Sequence, residues 1–248
     1  MLQLIYNFTQ NLKTMKKILV LLMLTGLSVP VFSQISPYLD FGKGGLKIAA
    51  GGEQTSGLKG CFGEIGGSIR GIVDLVATVN ADGFDMDEVG LLNEDASSLG
   101  FDVTATWWLL RKQPMPMLDV NVGVCAGMFY ADYSNYEYMD GNEPNVHDYQ
   151  GNMGGFVGFD SRLKIRMGNG WSFLPGYTAV YFLAQDKLII ANETFTPYET
   201  GIQSIIGMSL SKTFNKGNSI YLAANQWFNS FENPSYFDLS VGFILAQK

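Results

Sequence analysis

Histidine and cysteine, which supply many metal ligands and catalytic nucleophiles, are almost absent from this sequence. Its 248 residues include one histidine, His147, and two cysteines, Cys61 and Cys125. Two cysteines set no disulfide framework, and we favour two free thiols over a Cys61–Cys125 bridge. After the N-terminal segment no apolar run is long enough for a membrane helix, so a membrane span of this chain has to be made of strands.

Basic residues are scarce relative to acidic ones. The chain carries 16 Lys and Arg against 23 Asp and Glu, a net charge of −7. Three of these lysines, Lys13, Lys16 and Lys17, precede a predicted cleavage site, so the mature chain is more acidic still. A strongly acidic chain repels phosphate backbones, which argues against nucleic acid as a partner.

The N-terminus is typical of an export signal. Lys16 and Lys17 precede the apolar residues 18–27, and Val31 and Ser33 supply small residues before a cut ahead of Gln34. We therefore predict a signal peptide over residues 1–33, with Met15 as an alternative true start. We also predict a glycine-rich lead over residues 34–63 and a barrel domain over residues 64–248.

Alternation of apolar and polar residues dominates the remaining chain, most clearly over residues 64–81. The odd positions are mostly apolar: Ile65, Gly67, Ile69, Gly71, Val73, Leu75, Ala77, Val79 and Ala81. The even positions include charges and polar groups: Glu64, Ser68, Arg70, Asp74, Thr78 and Asn80. Soluble strands usually have about 5–6 residues, whereas a tilted membrane strand needs about 9–11. Behind an export signal, this pattern predicts an outer-membrane β-barrel.

Seven further runs alternate in the same way, at residues 99–109, 118–130, 152–167, 171–186, 202–214, 219–231 and 237–246. Together with residues 64–81 they predict an all-β, antiparallel, up-and-down transmembrane barrel of eight strands. The lead adds short patches at residues 38–41 and 46–50. If these form two more strands, the barrel has ten, and this alternative stays open.

Connections between the runs alternate in length and in charge. Short turns at residues 111–117, 168–170 and 215–218 alternate with long loops, as periplasmic turns alternate with extracellular loops in barrels. The long-loop side contains no Lys or Arg, and it holds these acidic residues: Asp82, Asp85, Asp87, Glu88, Glu94, Asp95, Glu137, Asp140, Glu143, Asp148, Glu193, Glu199 and Glu232. We therefore expect acidic loops at the cell surface, beside outer-membrane lipid and lipopolysaccharide.

One strand predicts a charged cluster in the barrel interior. Asp160, Arg162, Lys164 and Arg166 share the polar face of their run. Charges in a narrow interior have to pair or meet water, and an eight-stranded barrel is only just wide enough to be filled by side chains. An ion-paired plug is therefore favoured over a selective pore.

Aromatic rings gather near the predicted strand ends. At the short-turn ends these are Trp107, Trp108 and Trp171, and toward the loops they are Tyr130, Tyr133, Tyr136, Trp227 and Phe228. Two such belts are typical of the two membrane interfaces.

Two loops hold candidates for chemistry. Asp82, Asp85, Asp87 and Glu88 form the densest carboxylate cluster and are weak candidate ligands for a divalent cation such as Ca²⁺, although their spacing does not match the EF-hand. His147 has Asp148 beside it, but no nucleophile motif accompanies the pair. A solvated acidic loop is the favoured interpretation of both loops, and no cofactor is predicted.

The run Tyr236-Phe237-Asp238-Leu239-Ser240-Val241-Gly242-Phe243 resembles the C-terminal strand of bacterial outer-membrane barrels. The whole mature chain is similar to small outer-membrane β-barrel proteins of the Bacteroidota type. This resemblance implies the fold and the outer membrane, without an activity. The first functional hypothesis is a structural or interaction role that presents acidic loops; the alternatives are a narrow pore and a surface lipid hydrolase or protease.

Overall fold

The structure is a computed structural model that describes residues 43–55, 58–84, 96–139, 146–214, 217–229 and 237–246. The predicted signal peptide and the first part of the lead lie outside these residues. No helix in the described ranges is long and apolar enough to cross a membrane.

The described residues form twelve antiparallel β-strands. They are β1 (Gly45–Thr55), β2 (Leu58–Ile69), β3 (Val73–Phe84), β4 (Ser97–Met115), β5 (Leu118–Ser134), β6 (Glu137–Met139), β7 (Val146–Gly168), β8 (Trp171–Ile190), β9 (Glu193–Phe195), β10 (Tyr198–Thr213), β11 (Ser219–Asn229) and β12 (Phe237–Ala246). Each long strand pairs with its neighbours in the chain, and β1 pairs with β12 to close the ring. The short strands β6 and β9 extend the loop-side edges of β7 and β8.

The closed ring contains ten strands, so the main prediction of eight is wrong and the stated alternative of ten is correct. The lead supplies one additional strand and half of a second, and the predicted run 64–81 supplies the other half. Residues 45–55 form β1, and residues 58–63 form the first half of β2. Glycine is frequent in these strands, which weakens their hydrophobic pattern, but their backbones pair along their full length.

Residues 64–81 were predicted to form one strand, but they belong to the two arms of a hairpin. Ile69 ends β2 and pairs with Val73 at the start of β3, which leaves a turn of residues 70–72. Arg70 (φ 52°) and Gly71 (φ 59°) take positive φ angles in this turn. Because the paired residues lie an even number of positions apart, odd residues face outward in both arms. The alternation of apolar and polar residues therefore keeps the same parity on both sides of the turn.

The hairpin gives a direct test of the strand count. With Cys61 and Cys125 replaced, we expect Arg70→Cys to react rapidly with a membrane-impermeant thiol reagent, since Arg70 is exposed in a turn. Val76→Cys, inward on β3, is the control and should react slowly. An unreactive Cys at position 70 would contradict the hairpin and return the barrel to one long strand here.

Three of the short turns are joined side by side. Backbone hydrogen bonds join neighbouring turns, from Arg166 N to Met117 O at 2.7 Å and from Thr213 N to Gly170 O at 2.8 Å. The strands β11, β12, β1, β2 and β3 have 10–12 residues each, whereas β7 and β8 have 23 and 20. Ser134 ends β5 in register with Ser97 of β4 and Gly83 of β3, so the extra residues of β4 and β5 lie toward the short turns. On the loop side the barrel therefore has a low wall of β11, β12, β1 and β2, and a high wall that rises at β7 and β8 and includes the flanking strands β5 and β10.

Outward residues form an apolar surface around the ring. Leu99, Met128 and Val157 are among the many large apolar side chains that are exposed there. Part of the predicted aromatic belts needs correction: Trp107, Trp171, Tyr130 and Phe228 face outward, but Trp108, Tyr133 and Trp227 lie on the inward face of their strands. Proximity to a strand end does not decide which face a ring occupies.

Candidate functional site in the barrel interior

The interior of the barrel is polar and charged, because every ring strand turns its polar face inward. Its short-turn half holds most of the inward basic side chains. The structure places Asp160, Arg162, Lys164 and Arg166 on the inward face of β7, as their alternation requires.

Two ion pairs occupy this half. The Arg166 guanidinium donates to both oxygens of Asp119 on β5, from Nη1 at 2.9 Å and from Nη2 at 2.5 Å. Arg162 Nε donates to both oxygens of Asp160, two residues away on the same strand, at 3.0 and 3.1 Å. Arg–carboxylate pairs with two bonds are strong and fixed in geometry, so they hold the guanidinium groups in the lumen.

The Trp108 side chain contacts charged groups from three strands. Its indole Nε1 donates to Asp74 Oδ2 at 2.8 Å. The guanidinium carbons of Arg162 and Arg111 lie 5.1 and 5.5 Å from its ring centroid, within the range of a cation–π contact. The indole therefore donates to one carboxylate oxygen at its edge and contacts two cations with its ring.

A further pair comes from the lead. Lys47 on β1 faces inward and its Nζ lies 2.5 Å from Glu64 Oε1 on β2, with both side chains buried. Within the described residues, Lys47 is the one inward cation contributed by the low wall.

The loop-side half of the interior is acidic. Asp238, Glu53 and Asp82 lie in one row of paired strands, with Gly60 between the last two. Their oxygens accept hydrogen bonds from neutral donors: Asp238 from Asn225 Nδ2 at 2.6 Å and Trp227 Nε1 at 3.2 Å, and Asp82 from Ser98 Oγ at 3.1 Å and Asn80 Nδ2 at 3.0 Å. The interior is thus polarised, acidic toward the loops and basic toward the short turns.

The candidate metal ligands separate in the structure. Asp82 faces the lumen from β3, while Asp85, Asp87 and Glu88 lie outside the described residues. In the described ranges, no group of three or more His, Cys, Asp or Glu side chains could hold a metal ion. A cation site in this loop stays a prediction.

The catalytic hypothesis stays a prediction too. The backbone of His147 pairs with Tyr138 and Ile190 near the start of β7, far along the high wall. Its side chain is outside what the structure describes. The neighbouring Asp148 accepts a hydrogen bond from Gln150 Nε2 at 2.6 Å.

The two cysteines are free and lie on opposite faces of the barrel wall. Cys61 is exposed on the outward face of β2, and Cys125 is buried on the inward face of β5. Two strands separate their positions in the ring. A bridge through the wall is excluded by this geometry.

Sequence analysis missed three contributors to the interior. Lys47 and Glu53 lie in the glycine-rich lead, where only the alternation of Leu46 and Ile48 with Lys47 could have indicated a strand. Arg111 follows a register shift between Trp108 and Leu110, which places Leu109 and Leu110 both outward and returns Arg111 to the lumen. Simple alternation assigns Arg111 to the wrong face.

The middle of the lumen is closely packed. Asn225 is 0% exposed, Tyr221 and Asp160 are each 2% exposed, and Trp108 is 4% exposed. Inward rings also lie across glycines of the adjacent strand. A Cβ at Gly242 would lie 2.5 Å from the Tyr221 hydroxyl oxygen and 2.6 Å from its Cε1. These rings fit only because the opposing residue has no side chain.

No family model matches the sequence, and no curated protein matches it. Solved structures resemble the fold. One is the translocator domain of the autotransporter NalP from Neisseria meningitidis, at 8% identity and TM-score 0.49, covering 83% of this chain and 88% of that one. Another is the β domain of the Bordetella autotransporter BrkA, at 10% identity and TM-score 0.45, covering 83% and 99%. A third is an outer membrane channel from Pseudomonas putida F1, at 9% identity and TM-score 0.40, covering 88% and 100%.

The closed ring and its apolar exterior define the class of protein. A closed barrel leaves no unpaired strand edge, and the outward face offers large apolar side chains to lipid. The chain is therefore a β-barrel protein of the outer membrane of Gram-negative bacteria.

Proposed function

We propose that this protein is a plugged outer-membrane barrel with a structural or interaction role, which presents acidic loops outside the cell and performs no catalysis. The packing of the lumen carries this proposal. A water-filled channel leaves its polar lining exposed, whereas Asn225 and Asp160 in the middle of this barrel are almost fully buried. Paired arginines and the Trp108 ring occupy the space that solutes would need.

We infer the orientation of the barrel in the membrane from the alternation of short turns and long loops between its strands. The described ends of β1 and β12 lie together on the short-turn side, so the acidic loops share the opposite side. With the short turns in the periplasm, the loops lie beside lipopolysaccharide, whose phosphates also repel anions. Divalent cations would reduce this repulsion, and we propose them, with outer-membrane lipid and lipopolysaccharide, as partners. The alternating pattern of the whole mature chain supports the Bacteroidota type as the source of this barrel.

A narrow pore for ions or small solutes is the second candidate. Ten strands enclose a wider interior than eight, and this observation favours it. The inward charges would then line the pore and select among ions.

Conductance in planar bilayers separates the two functions. We expect the wild-type protein to form no stable channels, and the Trp108→Ala, Arg162→Ala double variant to conduct, since it removes the ring and a paired cation from the lumen. Trp107→Ala is the matched control, because Trp107 is adjacent but 56% exposed on the outer face. This variant should form no conducting channels.

Stable wild-type channels whose ion selectivity changes on replacing Arg166 would overturn the plug and establish the pore. A double variant that folds, as judged by its resistance to unfolding in detergent, and still fails to conduct would show that other side chains close the lumen.

A further inference from the structure

Among the residues that the structure describes, no strand lies opposite the loop-side end of the inner face of the high wall. β7 and β8 extend for 23 and 20 residues, while β11, β12 and β1 on the other side of the ring have 10 or 11. At about 3.3 Å per residue, the difference amounts to roughly 30–40 Å along the strand direction. In the described residues, the loop-side end of this sheet face therefore extends beyond the ends of the low-wall strands.

Acidic side chains mark this surface. Asp186 on β8 and Glu199 on β10 occupy inward positions of adjacent paired strands. Glu53, Asp82 and Asp238 add inward carboxylates on β1, β3 and β12. Lys187, the nearest lysine of the high wall, has the opposite parity and faces outward. In the sequence, residues 85–95 and 230–236, which lie outside the described residues, contain acidic residues and neither lysine nor arginine.

Aromatic rings lie beside these carboxylates. Tyr133 and Tyr149 contact each other edge to face, with centroids 4.8 Å apart, and Tyr136 and Phe84 complete the cluster. The Tyr149 hydroxyl donates to Asp186 Oδ1 at 2.5 Å. A ring face held next to a carboxylate is a favourable site for a guanidinium or ammonium group, through cation–π and ionic contacts together.

We propose that the inner face of the high wall, from Tyr133 and Tyr149 to Asp186 and Glu199, is a docking surface for an extended polypeptide segment that carries Lys or Arg side chains. This inference rests on the proposed function and names the partner class of its interaction role. The negative charge of this surface favours a partner with positively charged side chains. The carboxylates are spread over several strands and form no compact ligand set in the described ranges, which fits successive side chains of a peptide better than one metal ion.

Binding of a defined probe tests the surface. The full chain in detergent is titrated with a fluorescent peptide of alternating arginine and serine, with a glutamate–serine peptide as the negative probe. We expect saturable binding of the arginine peptide that weakens as salt is raised. The Asp186→Asn, Glu199→Gln double variant should bind it about tenfold more weakly or worse, because two charges facing the peptide are lost.

Asp132→Asn is the matched control, since Asp132 is exposed on the outward face of the same wall, beside Tyr133. It should change affinity less than twofold. Equal losses in the two variants, or complete displacement by millimolar Mg²⁺, would overturn the peptide surface and point to diffuse charge or to a divalent cation. Channel recordings on the same samples keep the two proposals apart: no binding by a silent barrel refutes only this surface, whereas conduction refutes the proposed function.

Discussion

Replacing Lys47 by methionine is expected to lower the free energy of unfolding by about 3–5 kcal/mol, the usual cost of removing one partner of a buried ion pair. Lys47 Nζ lies 2.5 Å from Glu64 Oε1, and both side chains are buried. Without the ammonium group, Glu64 keeps a buried charge within electrostatic reach of two inward carboxylates, Asp102 on β4 and Asp238 on β12. Urea unfolding of the refolded protein in lipid vesicles, followed by tryptophan fluorescence, measures the change.

Two variants show whether this loss belongs to the pair. Lys59→Met removes a lysine from the adjacent strand, but Lys59 is exposed on the outer face, so its stability should change by at most about 0.5 kcal/mol. The Lys47→Met, Glu64→Leu double variant removes both charges and should be more stable than Lys47→Met alone. If the double variant loses at least as much as the single one, the pair is not what stabilises this part of the barrel.

Replacing Gly242 by alanine should destabilise the barrel by about 1–3 kcal/mol, the range for overpacking a filled interior. The new Cβ would meet the ring of Tyr221, which is paired directly across β11 and β12 and is 2% exposed. The ring cannot move aside without displacing other lumen side chains. The same urea titration measures the effect.

Gly63→Ala is the matched glycine control. A Cβ at Gly63 would have nothing within 4 Å, and Gly63 is exposed on the outer face of β2. Its stability should stay within about 0.5 kcal/mol of wild type. Adding Tyr221→Leu to Gly242→Ala should recover part of the loss, and additive losses would show that the ring does not fill the space above this glycine.

Period-two alternation made the outward and inward faces of most strands predictable. On β5 the even-numbered residues from Leu118 to Tyr130 are apolar and face outward, and Asp119 and Asn121 face the lumen, because the pleat of a strand sends successive side chains to opposite faces. The same rule placed Arg162 and Arg166 inward on β7. The acidic character of the long-loop side also follows from the sequence, because it requires only a count of charges between strands.

Strand number was harder to predict, for two physical reasons. The turn at residues 70–72 keeps the parity of its flanking strands, so β2 and β3 give the pattern of one strand. Glycines in β1 interrupt its hydrophobic signal, although a glycine still contributes the backbone groups that make the ladder. Hydrogen-bond pairing involves two strands, and the residue pattern of one strand does not show where its partner begins or ends.

The partners of the interior charges were decided only by the tertiary structure. The sequence determined that this is an exported, acidic, membrane-spanning barrel, since these properties follow from local composition and alternation. Ring closure determined that Lys47 meets Glu64, that Arg166 meets Asp119, and that Trp108 lies against two arginines. These contacts depend on the register and stagger of ten strands, and a register shift of one residue would send each side chain to the opposite face of the wall.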